Sequence, residues 1–433
     1  MHHFFPHRMF NFEALRLLST APYGGCEICE FLEAVSEIQQ NNPESWHRAW
    51  LSQAQKAEAI GDEAAANGIR FAACNAYLRS MNYYRASQFM FNDRPEALEP
   101  RCLPISEKSI AMFRAAIPFM ETEVMTFSIP HEDLMLPAYL YLPSAEQRRP
   151  QGAKCPILIT IGGADVTQEE LYFLYPAVGP RHGYAVLTFE GPGQGIVLRK
   201  DRRPMVPDFE RVTIDVINHI HTLAAQQPNL NLDLDRIIMT GATFGGYYAL
   251  RAAAADSRIK ACISIDPFYS MYDLAATRIP PLYLWAWEHG WVPDAVFDAL
   301  GNVAAALHFP TRWEFHIALW MFGLGRTSWA DAIREMKRYT LRLKGGKRGD
   351  DDYVLLLHKI KCATMVTGAG HALYATPDMS THRIMEELVN VPERRKRVWI
   401  ATEPAEGGLQ AKLGAWDILR QKSFEFLDEV LEY

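Results

Sequence analysis

The sequence predicts an α/β protein: a mostly parallel central sheet with helices on both faces, a helical N-terminal cap and a helical insertion. Three observations carry that expectation. From residue 156 onward, short runs that are apolar at nearly every position recur along the chain, which is how strands read when both their faces are buried. Stretches of helical period separate them, so successive strands lie parallel and are joined by crossover helices. Most of the runs end in a glycine-rich turn, and ligands of such sheets collect beyond the carboxyl ends of the strands.

Up to about residue 118 the pattern is helical. Ile28, Phe31, Leu32, Val35 and Ile38 recur at three-to-four spacing, as do Trp46, Trp50 and Leu51, and the stretch 57–91 has few β-branched residues. This gives a cap over residues 1–118 and leaves 119–433 for an α/β catalytic domain. At Val124 the period changes: the runs 124–130 and 136–143, divided by His131-Glu132-Asp133, predict a hairpin that opens the sheet. Further strands are expected at 156–161, 184–189, 237–240, 259–265, 363–367 and 397–401. Between about 268 and 351 the alternation lapses into a helical stretch containing Trp285, Trp287, Trp291, Trp313, Trp320 and Trp329, read as a lid inserted over the pocket. The polar run 344–352 reads as a solvated surface loop.

Composition narrows the function classes. Hydrophobic residues make up 49% of the 433, and ten Trp, eighteen Tyr and twenty-two Phe furnish both a core and an aromatic-lined cavity. A net charge of −7 supplies no broad basic surface, so no nucleic-acid or anionic-membrane partner is expected. A bulky apolar small molecule is the expected partner, and a homodimer is compatible with the sequence. No stretch reaches the roughly 20 apolar residues of a membrane span, and residues 1–6 do not begin a signal peptide. Seven scattered cysteines, an odd number, read as reduced thiols and place the chain in the cytoplasm. Cys26 and Cys29 have CxxC spacing, but no second ligand pair follows, so neither a metal nor a cofactor is expected.

The chemistry centres on Gly241-Ala242-Thr243-Phe244-Gly245-Gly246, set between an apolar strand and a helical run. Strand, Gly-x-Ser-x-Gly, helix is the nucleophile elbow of the α/β-hydrolase fold, in which small flanking residues let the helix pack closely while the central side chain projects above the sheet. Threonine is the departure. A β-branched residue makes the elbow's unfavourable backbone angle costlier, by about 1–3 kcal/mol, and its methyl crowds the line of attack. Thr243 is therefore a nucleophile, a hydroxyl that only orients substrate, or the mark of an altered site. Backbone N–H groups of Gly163, Ala164 and Phe244 would form an oxyanion hole. Asp165 stands at the pocket mouth, or caps the helix that begins near Glu169 and Glu170. The loop after the last strand, where this fold usually carries its histidine, has none. His371, after Thr367-Gly368-Ala369-Gly370, is the expected general base, with Asp266 to orient it and Asp378 and His382 in reserve.

Taken together, these segments resemble those of a fungal α/β-hydrolase group that tailors polyketides, including the fusarin- and cytochalasan-pathway types. The resemblance rests on the helical cap, on Gly162-Gly163-Ala164-Asp165 with Glu169-Glu170-Leu171-Tyr172-Phe173, and on Glu190-Gly191-Pro192-Gly193-Gln194-Gly195. It extends through the elbow with Phe244-Gly245-Gly246-Tyr247 to Glu406-Gly407-Gly408-Leu409-Gln410-Ala411-Lys412. It implies a secondary-metabolism enzyme acting at a carbonyl of a polyketide or polyketide–amino-acid intermediate, by hydrolysis, ring closure or condensation. The elbow of that group carries serine where this chain has Thr243. A hydrolase-fold carrier that has lost catalysis and a generic cytosolic esterase are the rival readings.

Overall fold

Strands whose every residue is buried need cover on both faces, and the chain supplies it from two different sources. The computed structural model describes residues 1–94, 97–148, 150, 153–344 and 353–432. Its strands are β1 (Glu123–His131), β2 (Leu134–Leu142), β3 (Cys155–Ile161), β4 (Ala185–Phe189), β5 (Leu232–Ala242), β6 (Ile259–Ile265), β7 (Arg342–Lys344), β8 (Tyr353–Leu355), β9 (Ala363–Ala369) and β10 (Lys396–Ala401). Eight of them form one sheet in the order β1-β2-β4-β3-β5-β6-β9-β10, while β7 and β8 pair separately. The hairpin β1–β2 joins antiparallel, and β4 through β10 of the main sheet run parallel. From β3 the chain crosses to one side to make β4, then to the other to make β5. The carboxyl ends of β3 and β5 are thus the topological switch point, where open sheets of this kind bind ligands.

One face is covered by the N-terminal helices α1 (Arg8–Leu18), α2 (Ile28–Glu37), α3 (Pro43–Ala66), α4 (Arg70–Phe89) and α5 (Cys102–Ala116). Helix α3 starts where its sequence says it should: the Asn42 side chain accepts from Ser45 N at 3.2 Å, and Pro43 fills the first turn, which needs no N–H donor. Trp46, Trp50, Phe10 and Phe113 share a single buried cluster with Tyr139, Leu158, Val186, Ile238 and Ile263 of the sheet. The cap has no separate core; its interior continues that of the sheet. On the opposite face, Glu210–Gln226 and Phe244–Ala255 bury Val216, Ile217 and Tyr248 with Ile157, Leu187 and Met239.

Between β6 and β7 lie the five lid helices Met271–Ala276, Pro281–Glu288, Asp294–Leu307, Phe309–Met321 and Trp329–Met336. The tryptophans divide by role. Trp287 stacks on Phe297 with centroids 4.5 Å apart and Trp329 packs on Phe315 at 4.4 Å, giving the lid its own interior. Trp285 and Trp291 are exposed. Trp313 packs on Phe89 of α4 and donates its indole N–H to the Phe89 carbonyl at 3.2 Å, fastening lid to cap. The polar run expected as a solvated loop lies, from residue 345 to 352, outside the described residues. No helix among the described residues is long and apolar enough to cross a membrane.

The elbow forms because two glycines let main chains meet. A β-carbon on Gly245 would sit 2.3 Å from the Ile161 carbonyl oxygen, and one on Gly241 would sit 2.4 Å from the Gly245 backbone. Neither obstacle is a flexible side-chain end, so Gly245→Ala must push β3 away from the elbow helix. The expected cost is about 1–3 kcal/mol, read as a lower urea midpoint at unchanged m-value.

Candidate active site

Thr243 is held in a conformation that threonine rarely adopts, with φ 53° and ψ −109°, between β5 and the helix Phe244–Ala255. Hydrogen bonds fix it on both sides: its N–H donates to Ile265 O at 2.8 Å, and its carbonyl accepts from Tyr247 N at 3.1 Å. Such a backbone stores on the order of 1–3 kcal/mol of strain. The loop after β3 comes up against the side chain, since a β-carbon on Gly163 would lie 3.3 Å from Thr243 Oγ1. That loop is braced from below. Gln194, wholly buried, donates to Gly162 O at 2.8 Å and accepts from Gly191 N at 2.8 Å, a use for the turn at 190–195 that the sequence did not disclose.

Two chambers meet at Thr243. The lid-side chamber, of about 210 Å³, is walled by Phe268, Met271, Leu274, Phe315 and Met336 and floored by Ala164, Phe244 and Asp266. The cap-side chamber, of about 120 Å³, is walled by Met9, Phe12, Phe89 and Trp416 and carries Glu13 and Arg16. Asp165, Thr243, Trp313, Tyr374 and Gln410 border both. The capping role open to Asp165 falls instead to Thr167, whose hydroxyl accepts from Glu170 N at 3.3 Å. Asp165 pairs with Arg16 of α1 at 3.0 Å, and Arg16 also grips Glu170 through two 2.6 Å hydrogen bonds.

Asp266 is buried at the end of β6, with φ 45°. Thr367 donates to its Oδ1 at 2.7 Å and the Lys412 ammonium lies 2.9 Å from the same oxygen. Its Oδ2 is buried and has no hydrogen-bond partner among the described residues, although Asp266 borders the lid-side chamber. Lys412 is completely buried, donates to Gly368 O at 2.7 Å and lies over the Trp399 ring. Burial pulls its pKa below the usual lysine value, against the opposing pull of Asp266.

The histidine expectation meets a different geometry. His371 is exposed, borders neither chamber, and is tied down by its main chain, with its N–H donating to Gly408 O at 2.8 Å. The reserve pair Asp378 and His382 is also exposed on the outside of the fold. Gln410 occupies the loop after β10, donating to Asp266 O at 3.2 Å and accepting from Leu373 N at 3.2 Å. A carboxamide there orients groups but takes up no proton. In sequence, Gln410 and Lys412 belong to the segment Glu406–Lys412 that carries the family resemblance, and neither residue type marks a proton-transfer site there. Ala411 and Lys412 both have φ 56°, the local turn that carries the lysine inward, and such angles leave little trace in sequence for residues other than glycine.

Comparison with known proteins agrees with this architecture. A sequence model described as alpha/beta hydrolase family matches residues 162–395. The hydrolyase poxO of Penicillium oxalicum is 46% identical over 433 residues, covering 100% of this chain and 99% of that protein. The chain belongs to the α/β hydrolase family. This α/β hydrolase is also 45% identical to the alpha/beta hydrolase xenA of Xenoacremonium sinensis, over 99% of this chain and 98% of that one. Hydrolyase ccsE of Aspergillus clavatus is 46% identical, over 97% and 96%. Among solved structures, 2,6-dihydroxy-pseudo-oxynicotine hydrolase superposes with a TM-score of 0.68 at 18% identity, covering 96% of this chain and 95% of that one. That likeness shows the fold.

The arrangement sets the Thr243 hydroxyl at the switch point, in a chamber also bordered by a buried carboxylate that an ammonium holds by one oxygen. Removing the ammonium strands that carboxylate. Lys412→Met is expected to lower stability by about 3–5 kcal/mol, and Asp266→Asn in the same chain to restore part of it, because the second change removes the uncompensated charge. Urea unfolding of the two single variants and the double variant measures the coupling.

Proposed function

We propose that this α/β hydrolase is a cytoplasmic tailoring enzyme of polyketide or polyketide–amino-acid metabolism that joins carbon atoms at a carbonyl, closing a ring without an acyl-enzyme. The kinship with fungal hydrolases of nearly equal length supports the setting, and seven free cysteines support a reducing compartment. The two apolar chambers under the Trp-rich lid suit a bulky apolar small molecule.

One observation carries the reaction type: Asp266 Oδ2 is buried and has no hydrogen-bond partner among the described residues, and Asp266 lines the chamber that Thr243 borders. A carboxylate in that position is a base for a carbon acid. It takes the proton from a carbon flanked by two carbonyl groups, and the N–H groups of Gly163, Ala164 and Phe244 hold the enolate oxygen that forms. The carbanion attacks a second carbonyl carbon in the same molecule. A carbon–carbon bond forms, the C=O π bond opens, and the resulting alkoxide takes up a proton; loss of water can follow. Thr243 orients the first carbonyl through its hydroxyl, and Gln410 holds the loop around Asp266. His371, exposed, has no part in this scheme.

Ester or amide hydrolysis through Thr243 is the second reading, favoured by the strained elbow backbone that this residue retains. Two probes separate the readings. A long-chain β-keto amide of an amino aldehyde can cyclise with loss of water, and the p-nitrophenyl ester of the same acid can only hydrolyse. The expected result is cyclised product from the amide, reduced about 100-fold or more in Asp266→Asn and little changed in Thr243→Ser. Ester hydrolysis that is lost in Thr243→Ala, without any cyclised product, would establish the second reading instead.

A further inference from the structure

The scheme above leaves the alkoxide without an assigned proton donor. In the lid-side chamber another carboxyl, Glu314, is 23% open at its side chain and faces Arg278 at 3.7 Å. The cap-side chamber holds a more deeply buried one. Glu13, on α1, borders that chamber together with Thr243 and Gln410, and only 6% of the residue is exposed. Its one side-chain hydrogen bond among the described residues comes from Arg16 Nη1 at 3.3 Å.

The charge balance around it sets its protonation state. Facing Glu13 are Arg16 on its own helix, Arg85 on α4, Asp165 in the loop after β3, Glu170 in the short helix Gln168–Leu171, and the Tyr374 hydroxyl. Three carboxyl groups thus share two guanidinium groups. Glu170 takes the two 2.6 Å bonds from Arg16 and a further contact with Arg85 at 3.5 Å. Asp165 has a 3.0 Å contact with Arg16, and its side chain is 28% open to solvent. Glu13 has the longest Arg16 contact of the three and little access to water, so it is the carboxyl that keeps its proton. Burial pushes it up to about 7.

We propose that Glu13 is the general acid of this enzyme, supplied by the N-terminal helix, and that it protonates the alkoxide on the cap side of Thr243 while Asp266 receives the carbon-bound proton on the lid side. The inference rests on the carbonyl-addition reading given above. One proton leaves the carbon acid for Asp266 and one leaves Glu13 for the new hydroxyl. Exchange with solvent returns both groups to their starting states. The substrate therefore spans the two chambers, with its acidic carbon under the lid and its electrophilic carbonyl under α1. The N-terminal helix becomes part of the catalytic apparatus in a chain whose last loop holds no histidine.

Glu13→Gln keeps the size of the side chain and its capacity to accept from Arg16, and removes the proton. With the β-keto amide probe, kcat is expected to fall about 100-fold with KM within about threefold, and the fall of activity above neutral pH is expected to disappear. A second readout needs no substrate. Because the folded chain holds Glu13 near 7 against 4.5 for an ordinary glutamate, its contribution to stability is full below 4.5 and is lost as pH rises through 7. The stability of wild type relative to Glu13→Gln should fall across that window and level off above it. A flat difference, or a change in KM alone, overturns the assignment. If Glu13→Gln turns over like wild type while Asp266→Asn does not, the general acid lies elsewhere and the carbonyl-addition reading stands. Unchanged turnover in both variants defeats both.

Discussion

The site is organised by one steric constraint: the elbow helix and β3 approach so closely that only glycine fits at 241 and 245. That approach forces Thr243 into a left-handed backbone, and the left-handed backbone aims its hydroxyl at the loop beginning with Gly162 and Gly163. From this follows the shared boundary of the two chambers at the switch point. The cost of the strained residue is borne by a large buried sheet whose strands are apolar on both faces.

What has changed, relative to a Ser-His-acid site, is the proton chemistry. The loop after β10 brings a carboxamide and a buried ammonium instead of an imidazole, and the ammonium is spent on Asp266. Among the described residues, no histidine borders either of the chambers that meet at Thr243. The carboxyl groups are placed in contrasting surroundings, Asp266 beside a lysine and Glu13 in a crowded cluster with too few cations. Two acids kept in unlike environments are the usual means by which one pocket both takes and gives a proton at the same pH.

Much of the fold was legible from the chain alone. Every expected strand is present within a few residues, the hairpin turns at Glu132, and helical structure precedes β1 as the three-to-four spacing implied. These features depend on local periodicity, which sequence displays directly. The elbow was legible for a similar reason, since the need for glycine at a close contact is written in the glycines themselves. The proton-transfer groups were not. Lys412 reads as an ordinary surface lysine until two residues of positive φ turn it inward, and Glu13 reads as the polar face of a helix until Arg16 is seen to reach Glu170, far along the chain. His371 stands out in the sequence by its residue type, while burial and direction, which decide whether an imidazole can act, depend on tertiary contacts such as the His371 to Gly408 main-chain bond.

Trp313 has a consequence for traffic through the enzyme. The same indole walls both chambers and rivets the lid to Phe89 of α4. Any displacement of that ring from its seat would reshape the walls of both compartments in one motion instead of each in turn.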